Sequence, residues 1–443
     1  MIVMGIVIGS GIFITTGIMA KSIPSPWLIL LAWLVGGILS LGGALVYAEL
    51  GAAMPQTGGQ YVYLRKAYGP LSGFLFGWTI FLVYQTGSIA ALAVAFAEYS
   101  GYFFPGLSTQ RIIFSDSITL FNQTFQYSLS SGQIVGIVII LLLSFGNFIG
   151  LVLGSIIQNF LTIVKVVILI AIVALGFIVG KGGAIEFYTV PTGFSLSSLI
   201  MGFGVAMIAI MWAYDGWNNV NFTAGEIKNP KRNLPKALIL GLSGITVLYI
   251  AVNLVYLYAL PVEEMSGVVR IAEKSATVLF GGLGASLISA AVMISILGSL
   301  NGTILTGPRV YYAMAKDDLF FKKVAYVHPR FRTPAFAIFL QAFWACILTL
   351  SGTFEQLFTY VIFVTMIFYI AGIASVFTLR KKYPDLPRPY KAWGYPIVPV
   401  LFIIVLTGLL INTLINKPVE SISGLIIVFI GIPVYYYWKN KRK

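Results

Sequence analysis

Charge is scarce in this sequence. Asp, Glu, Lys and Arg together supply 9% of its 443 residues, while 58% are hydrophobic. Soluble globular chains carry about 25% charged residues, so a cytosolic enzyme, a nucleic-acid-binding domain and a disordered scaffold are excluded. Cysteine is nearly absent, and Cys346 alone builds neither an internal disulfide framework nor a multi-cysteine metal site. Histidine is as rare, and His328 alone builds neither a zinc site nor a triad. No metal or cofactor is expected. Cys346 reads as a small buried apolar residue and His328 as a solvated loop residue. The apolar start at Met1 runs into glycine rather than a cleavage site, so no signal peptide is expected.

Long apolar runs are what the chain has instead. A membrane span takes about 20 such residues, and twelve windows qualify: 1–20, 27–54, 71–104, 133–153, 155–180, 196–222, 235–260, 276–312, 334–352, 355–380, 396–416 and 422–438. The expected fold is therefore an all-α integral membrane protein with twelve transmembrane helices. The windows 27–54, 71–104 and 276–312 exceed one crossing and should tilt or project into water. Placing the windows sorts 21 of the 28 Lys and Arg onto the side shared by both termini, leaving six opposite and Lys165 inside a span. By the positive-inside rule both termini are cytoplasmic, in a multi-pass protein of the cell membrane. The net charge of +14 then reflects topology, with no nucleic-acid partner. The opposite side carries the longest polar stretch, 105–132, a surface loop or small hairpin with no assigned function. Asn122-Gln123-Thr124 within it fits a glycosylation acceptor.

Two windows carry glycine at their centre, Gly9-Ser10-Gly11 in the first and Trp212-Ala213-Tyr214-Asp215-Gly216-Trp217 in the sixth. Glycine costs about 1 kcal/mol relative to alanine inside a helix. Non-helical backbone survives at membrane depth only where protein or a wet cavity covers it. Spans 1 and 6 are five apart, the interval an inverted five-plus-five repeat would show. Close helix packing through small residues is the plainer reading; Asp215 favours the functional one. The helix half after a break offers free N–H groups and a positive dipole end, which suit a carboxylate. The half before it offers free carbonyls, which suit an ammonium. Facing breaks would hold an α-amino acid, with Ser10 and Gly11 toward the carboxylate and the carbonyls around Val7, Trp212, Ala213 and Asp215 toward the amine.

Lys165 stands in an otherwise uncharged span, where a lysine costs about 2.5–3.5 kcal/mol. It either satisfies nearby carbonyls or replaces a sodium ion that would brace the broken first span, and the two roles overlap. Burial would also let it carry a proton. Glu49 and Glu98 read as span-end residues, Glu49 paired to basic loops.

These residues resemble the amino acid–polyamine–organocation superfamily. Gly9-Ser10-Gly11-Ile12-Phe13 is similar to its first-span signature. Tyr47-Ala48-Glu49-Leu50 with Pro55-Gln56-Thr57-Gly58-Gly59-Gln60-Tyr61 looks like its second-span exit. Trp212 to Trp217, Gly225-Glu226-Ile227-Lys228-Asn229-Pro230, Arg232-Asn233-Leu234-Pro235 and Gly298-Ser299-Leu300-Asn301-Gly302 resemble the L-type amino acid transporter branch, in its bacterial form. The resemblance implies a leucine-transporter-like inverted repeat, 1–180 and 196–380, followed by two helices over 396–438 and a basic tail, 439–443. It implies sodium-independent exchange of amino acids and the substrate roles given above. Lys165 and Tyr249 match a paired lysine and tyrosine of the fifth and seventh spans. Tyr214 joins them as a gating residue, and Asn218 and Asn301 are implied at or near the cavity. Eight residues precede Gly9, about 12 Å of helix, so a short first half-span is expected.

Neutral L-amino acid exchange by alternating access is the leading reading. The alternative is a proton-coupled symporter of amino acids, cationic ones included, or polyamines, with Asp215 or Glu98 titrating. A non-transporting amino acid sensor is the reading from another class. No nucleophile with a base points to an enzyme. The outer loop lacks cysteine, so no disulfide-linked heavy subunit is expected; the partners are the amino acid and the bilayer.

Overall fold

The computed structural model describes residues 1–120, 123–185, 187, 196–352 and 354–440. Asn122 of the glycosylation pattern and tail residues 441–443 lie outside them. The chain opens with a short helix, α1 (Ile2–Val7), a break, and α2 (Gly11–Met19). Then come α3 (Pro26–Ala53), α4 (Gln60–Tyr68), and α5 (Pro70–Thr79) joined by a π-turn at Ile80–Tyr84 to α6 (Gln85–Phe103). A hairpin, β1 (Ile112–Leu120) and β2 (Gln123–Ser130), leads to α7 (Ser131–Ile149) and α8 (Leu151–Ile178). The second half holds α9 (Leu196–Tyr214), α10 (Asn219–Phe222), α11 (Pro230–Ala259), α12 (Val262–Met265), α13 (Ile271–Thr306) and α14 (Pro308–Lys316). It closes with α15 (Ala335–Thr349), α16 (Phe354–Lys382), α17 (Ile397–Asn416) and α18 (Pro418–Asn440).

Among the described residues ten helical stretches are long and apolar enough to cross a bilayer. The two remaining windows of the sequence fall on α15, only 15 residues long, and on the broken α1–α2 pair. The membrane-spanning part is all-α as expected, and in segment 105–132, read as a loop or small hairpin, the chain forms the antiparallel β1–β2 ladder. Local chemistry explains the boundaries. Proline starts α3, α5, α11, α14 and α18, where the first helical N–H is unpaired anyway. Ser130 and Gln133 form a reciprocal capping box on α7. The overlong 276–312 window bends where Gly281 takes φ 73°, a conformation that suits glycine.

Each end of the bundle has its own chemistry. At the basic face, the Glu49 carboxylate is buried and takes Arg380 through two hydrogen bonds, of 2.9 and 2.6 Å. It also accepts the Ala392 N–H at 2.7 Å and faces Arg388 at 3.5 Å. Arg309 forks onto Glu226, and Arg65 pairs with Asp317. At the hairpin face, Thr109 donates to Glu98, Gln133 to the Thr349 carbonyl, and the Gly267 N–H to the Gly17 carbonyl. Cys346 is half-buried rather than buried. His328 is not simply solvated: its ring stacks on Phe331 at 4.7 Å and meets Phe148 edge-on.

Removing one member of a buried ion pair costs about 3–5 kcal/mol, because the partner charge is left uncompensated. Glu49→Ala is expected to lower the thermal midpoint of the detergent-solubilised protein by several degrees, read by fluorescence-detected size exclusion. Arg65→Ala, whose partner pair is largely exposed, should shift it little.

Candidate functional site

The first break is built by residues 8–10. Ile8 leaves helical geometry with ψ 80°, and the Gly9 N–H turns back onto the Val7 carbonyl at 2.8 Å. A side chain on Gly9 would press on Ser299, 2.9 Å from its hydroxyl oxygen. The second break follows Tyr214. Gly216 takes φ 89°, and a Cβ there would strike Ile6 of α1. The two breaks face each other, since a Cβ on Gly11 would run into the Cα of Ala213. Glycine at 11 is thus required by helix contact alone.

A broken helix in lipid must find partners for its freed carbonyls. Lys165 supplies them. Its buried ammonium donates to the Ile8 carbonyl at 2.7 Å, the Ser295 carbonyl at 2.8 Å and the Gly5 carbonyl at 2.9 Å, with the Ser299 hydroxyl at 3.1 Å. Room for it comes from Gly298, where a Cβ would stand 2.9 Å from both Cε and Nζ. Tyr249 serves both breaks, its hydroxyl 2.8 Å from the Val7 carbonyl and 3.2 Å from the Ala213 carbonyl. One hydroxyl proton serves one of them at a time.

Between the breaks lies a seat of about 30 Å³, lined by Val7, Ser10, Gly11, Trp212, Asp215 and Asn219, with Ser88 and Thr303 among the other walls. That is room for a water or two. Ser10 begins α2 without capping it, so the leading N–H groups of that helix have no side-chain partner. The roof is Trp212, packed on Phe354 at 5.9 Å and Phe358 at 5.8 Å, its indole N–H 3.4 Å from the Ser10 hydroxyl. The floor is a polar knot. Tyr369 donates to Asp215 Oδ1 at 2.7 Å, and Tyr84 to Asn218 Oδ1 at 3.0 Å. The crossed distances, 3.3 and 3.1 Å, permit the other pairing. The Asn218 amide then donates to Gln60 at 3.2 Å, and Gln60 to the Phe368 carbonyl at 2.7 Å.

Not every residue singled out from the sequence reaches the seat. Ala213 packs behind it against Gly11. Asn218 sits in the floor, and Asn219 takes the wall position instead. Tyr214 donates to the Trp33 carbonyl at 3.0 Å and packs on Tyr249, outside the lining. Asn301 is not at the cavity either: it joins an amide cluster, accepting from Asn147 at 2.8 Å and donating to Gln158 at 2.9 Å. The Val7 carbonyl already receives Gly9 and Tyr249, which fills its two lone pairs in this conformation. Ser88, Asn219, Thr303, Tyr84 and Tyr369 were not found by sequence reasoning. Of these, Asn219 and Thr303 lay beside a quoted motif, as Gln60 of the floor lay within one. Tyr84 reaches the floor from the end of the π-turn, whose freed carbonyls at Phe81 and Leu82 are taken by Thr86 and Trp344. Such turns recur at functional sites, but the sequence carries no mark of this one.

Fold and site together define a multi-pass helical membrane protein with a small-molecule seat between two interrupted helices. The sequence matches the family described as amino acid permease over residues 1–436. It is 35% identical over 447 residues to the serine/threonine exchanger SteT of Bacillus subtilis (strain 168), across 100% of this chain and 95% of that one. It is 30% identical to b(0,+)-type amino acid transporter 1 of Homo sapiens, across 99% and 88%. With large neutral amino acids transporter small subunit 2 of Mus musculus it shares 29%, across 100% and 80%. The chain belongs to the amino acid permease family. Its relatives are permeases, not enzymes, as the sequence led us to expect.

A charged hydrogen bond is worth about 1.5–3 kcal/mol, and each 1.36 kcal/mol is tenfold in rate. Lys165→Met is expected to cut labelled amino acid uptake by proteoliposomes at least ~tenfold while the protein still elutes as a single size-exclusion peak. Gly298→Ala, which pushes the ammonium off its oxygens, should lower uptake in the same direction. Wild-type uptake in both variants would remove Lys165 from the mechanism.

Proposed function

We propose that this permease exchanges neutral L-amino acids across the cell membrane by alternating access and without sodium. The observation that carries the reading is the Lys165 ammonium, held by four oxygens where the first span is broken. A fixed cation there gives the break the positive charge that a bound metal ion would otherwise bring. The substrate carboxylate meets Ser10, Gly11 and the positive end of α2. Its ammonium lies toward Asp215 and the carbonyls that end α9. The seat's polar walls, Ser88, Thr303 and Asn219, suit a short side chain with a hydroxyl, and the serine/threonine specificity in the name of one relative supports the same class.

In this reading the chain makes twelve crossings. Spans within 1–180 and 196–380 form the two inverted halves, and 396–438 supplies two added helices. The basic face, including both termini, is cytoplasmic, and the hairpin face is outside. The half-span α1 moves against α8 and α13 to open the cytoplasmic route, and Tyr249 keeps the two breaks in step. The 105–132 segment has no cysteine, so no disulfide-linked subunit is involved. One observation favours a second reading: the Asp215 carboxylate faces the seat, and a proton-coupled symporter of amino acids or polyamines would use it.

Counterflow separates the two. Exchange predicts uptake of labelled serine or threonine only into vesicles preloaded with amino acid, with no dependence on sodium. Uptake into empty vesicles driven by an imposed pH gradient would favour symport. Saturable binding with no flux under either condition would mark a sensor instead.

A further inference from the structure

The seat as it stands cannot hold a whole amino acid, yet a far larger chamber lies above its roof. This chamber, on the hairpin face, measures about 850 Å³, within the range of small-molecule pockets. Its walls include Lys21, Glu98, Thr109, Gln133, Phe354 and Tyr360. Phe354 also packs on Trp212, so the chamber ends where the seat begins.

Two of its charges are unneutralised. Glu355, also in the wall, is paired with Lys417 at 3.4 Å. Among the described residues the Lys21 ammonium has no hydrogen-bond or ion-pair partner, and Glu98 has only the Thr109 hydroxyl, on Oε2. Lys21 and Glu98 do not pair with each other. The Lys21 stem lies along Gly267, its Cε 3.0 Å from where a Cβ would stand, and Gly267 takes φ 77°. Lys21 follows α2 by two residues, and Glu98 belongs to α6. The two elements are tied, because Tyr99 donates to the Phe13 carbonyl at 2.8 Å. A free ammonium and a free carboxylate oxygen are thus presented to one chamber from a braced frame.

We propose that this chamber is a second amino acid site, in which Glu98 takes the α-ammonium and Lys21 the α-carboxylate of a zwitterion before Trp212 admits it to the seat. The chemistry selects the ligand class. A simple anion is repelled by Glu98 and a simple cation by Lys21, whereas a zwitterion satisfies both. Opposite charges held apart also orient the incoming molecule before it meets the breaks. This proposal rests on the reading of the chain as an amino acid exchanger.

The test is sided kinetics in oriented proteoliposomes with labelled serine. Lys21→Ala and Glu98→Gln should each raise KM measured from the hairpin face by about fivefold, the upper range for exposed charges. KM from the basic face should stay at its wild-type value, and Lys21→Arg should preserve both. The proposal is overturned if KM from the hairpin face does not move, or if both faces move together. Equilibrium binding of labelled serine to the purified protein reads the chamber without flux: two equivalents for wild type, one for Glu98→Gln. Saturation of wild type at one equivalent also overturns it. Wild type that binds two equivalents but exchanges nothing would sink the exchanger reading and leave the chamber standing.

Discussion

One ammonium among backbone oxygens holds this structure in its working form. A helix that stops halfway through a bilayer leaves carbonyls with no water to receive them. At Gly5 and Ile8 those carbonyls are met by Lys165, which also reaches Ser295 and Ser299 on α13. The interaction is reciprocal. Lys165 tolerates full burial because several oxygens surround it, and the break tolerates lipid depth because Lys165 is there. The lysine ties α1 to both α8 and α13, and Tyr249 adds a tie from α11 to Val7. Gly298 completes the arrangement by leaving space for the side chain.

The second interrupted helix is held by a different device. Tyr249 sits between Val7 and Ala213 and makes the two breaks share a proton donor. Below them, two phenols face two acceptors, Asp215 and Asn218, at distances that allow either pairing. Through Asn218 and Gln60 this floor reaches α4 and α16, and through Asp215 it reaches the seat wall. Each layer is therefore made of groups with one donor too few or one acceptor to spare.

Much of this was legible in the sequence. Apolar runs separated by basic loops marked the membrane class, and Gly9-Ser10-Gly11 and Asp215-Gly216 marked the two breaks, because glycine at mid-span is expensive unless it serves a bend. Lys165 stood out for the same reason. The floor was not legible. Tyr84 and Tyr369 are ordinary aromatic residues in apolar spans, and only the turn geometry at 80–84 and the register of α16 bring them to Asp215. Asn301 was marked by its motif, but the direction of its side chain, toward Asn147 and Gln158, was not legible. The hairpin at 112–130 was legible only as an alternative to a plain loop, because hydropathy carries no register there.

The π-turn at Ile80–Tyr84 has a consequence for reading the third crossing. A wider turn accommodates one residue more than an α-turn, and each residue advances a helix by about 100°. The stripes on α5 and α6 are consequently out of phase, and a helical wheel drawn from one end misassigns the faces at the other. Losing a single residue from this stretch would heal the helix, swing the aromatic side chains of α5 by roughly a quarter-turn relative to α6, and dismantle the floor while leaving composition and hydropathy almost untouched.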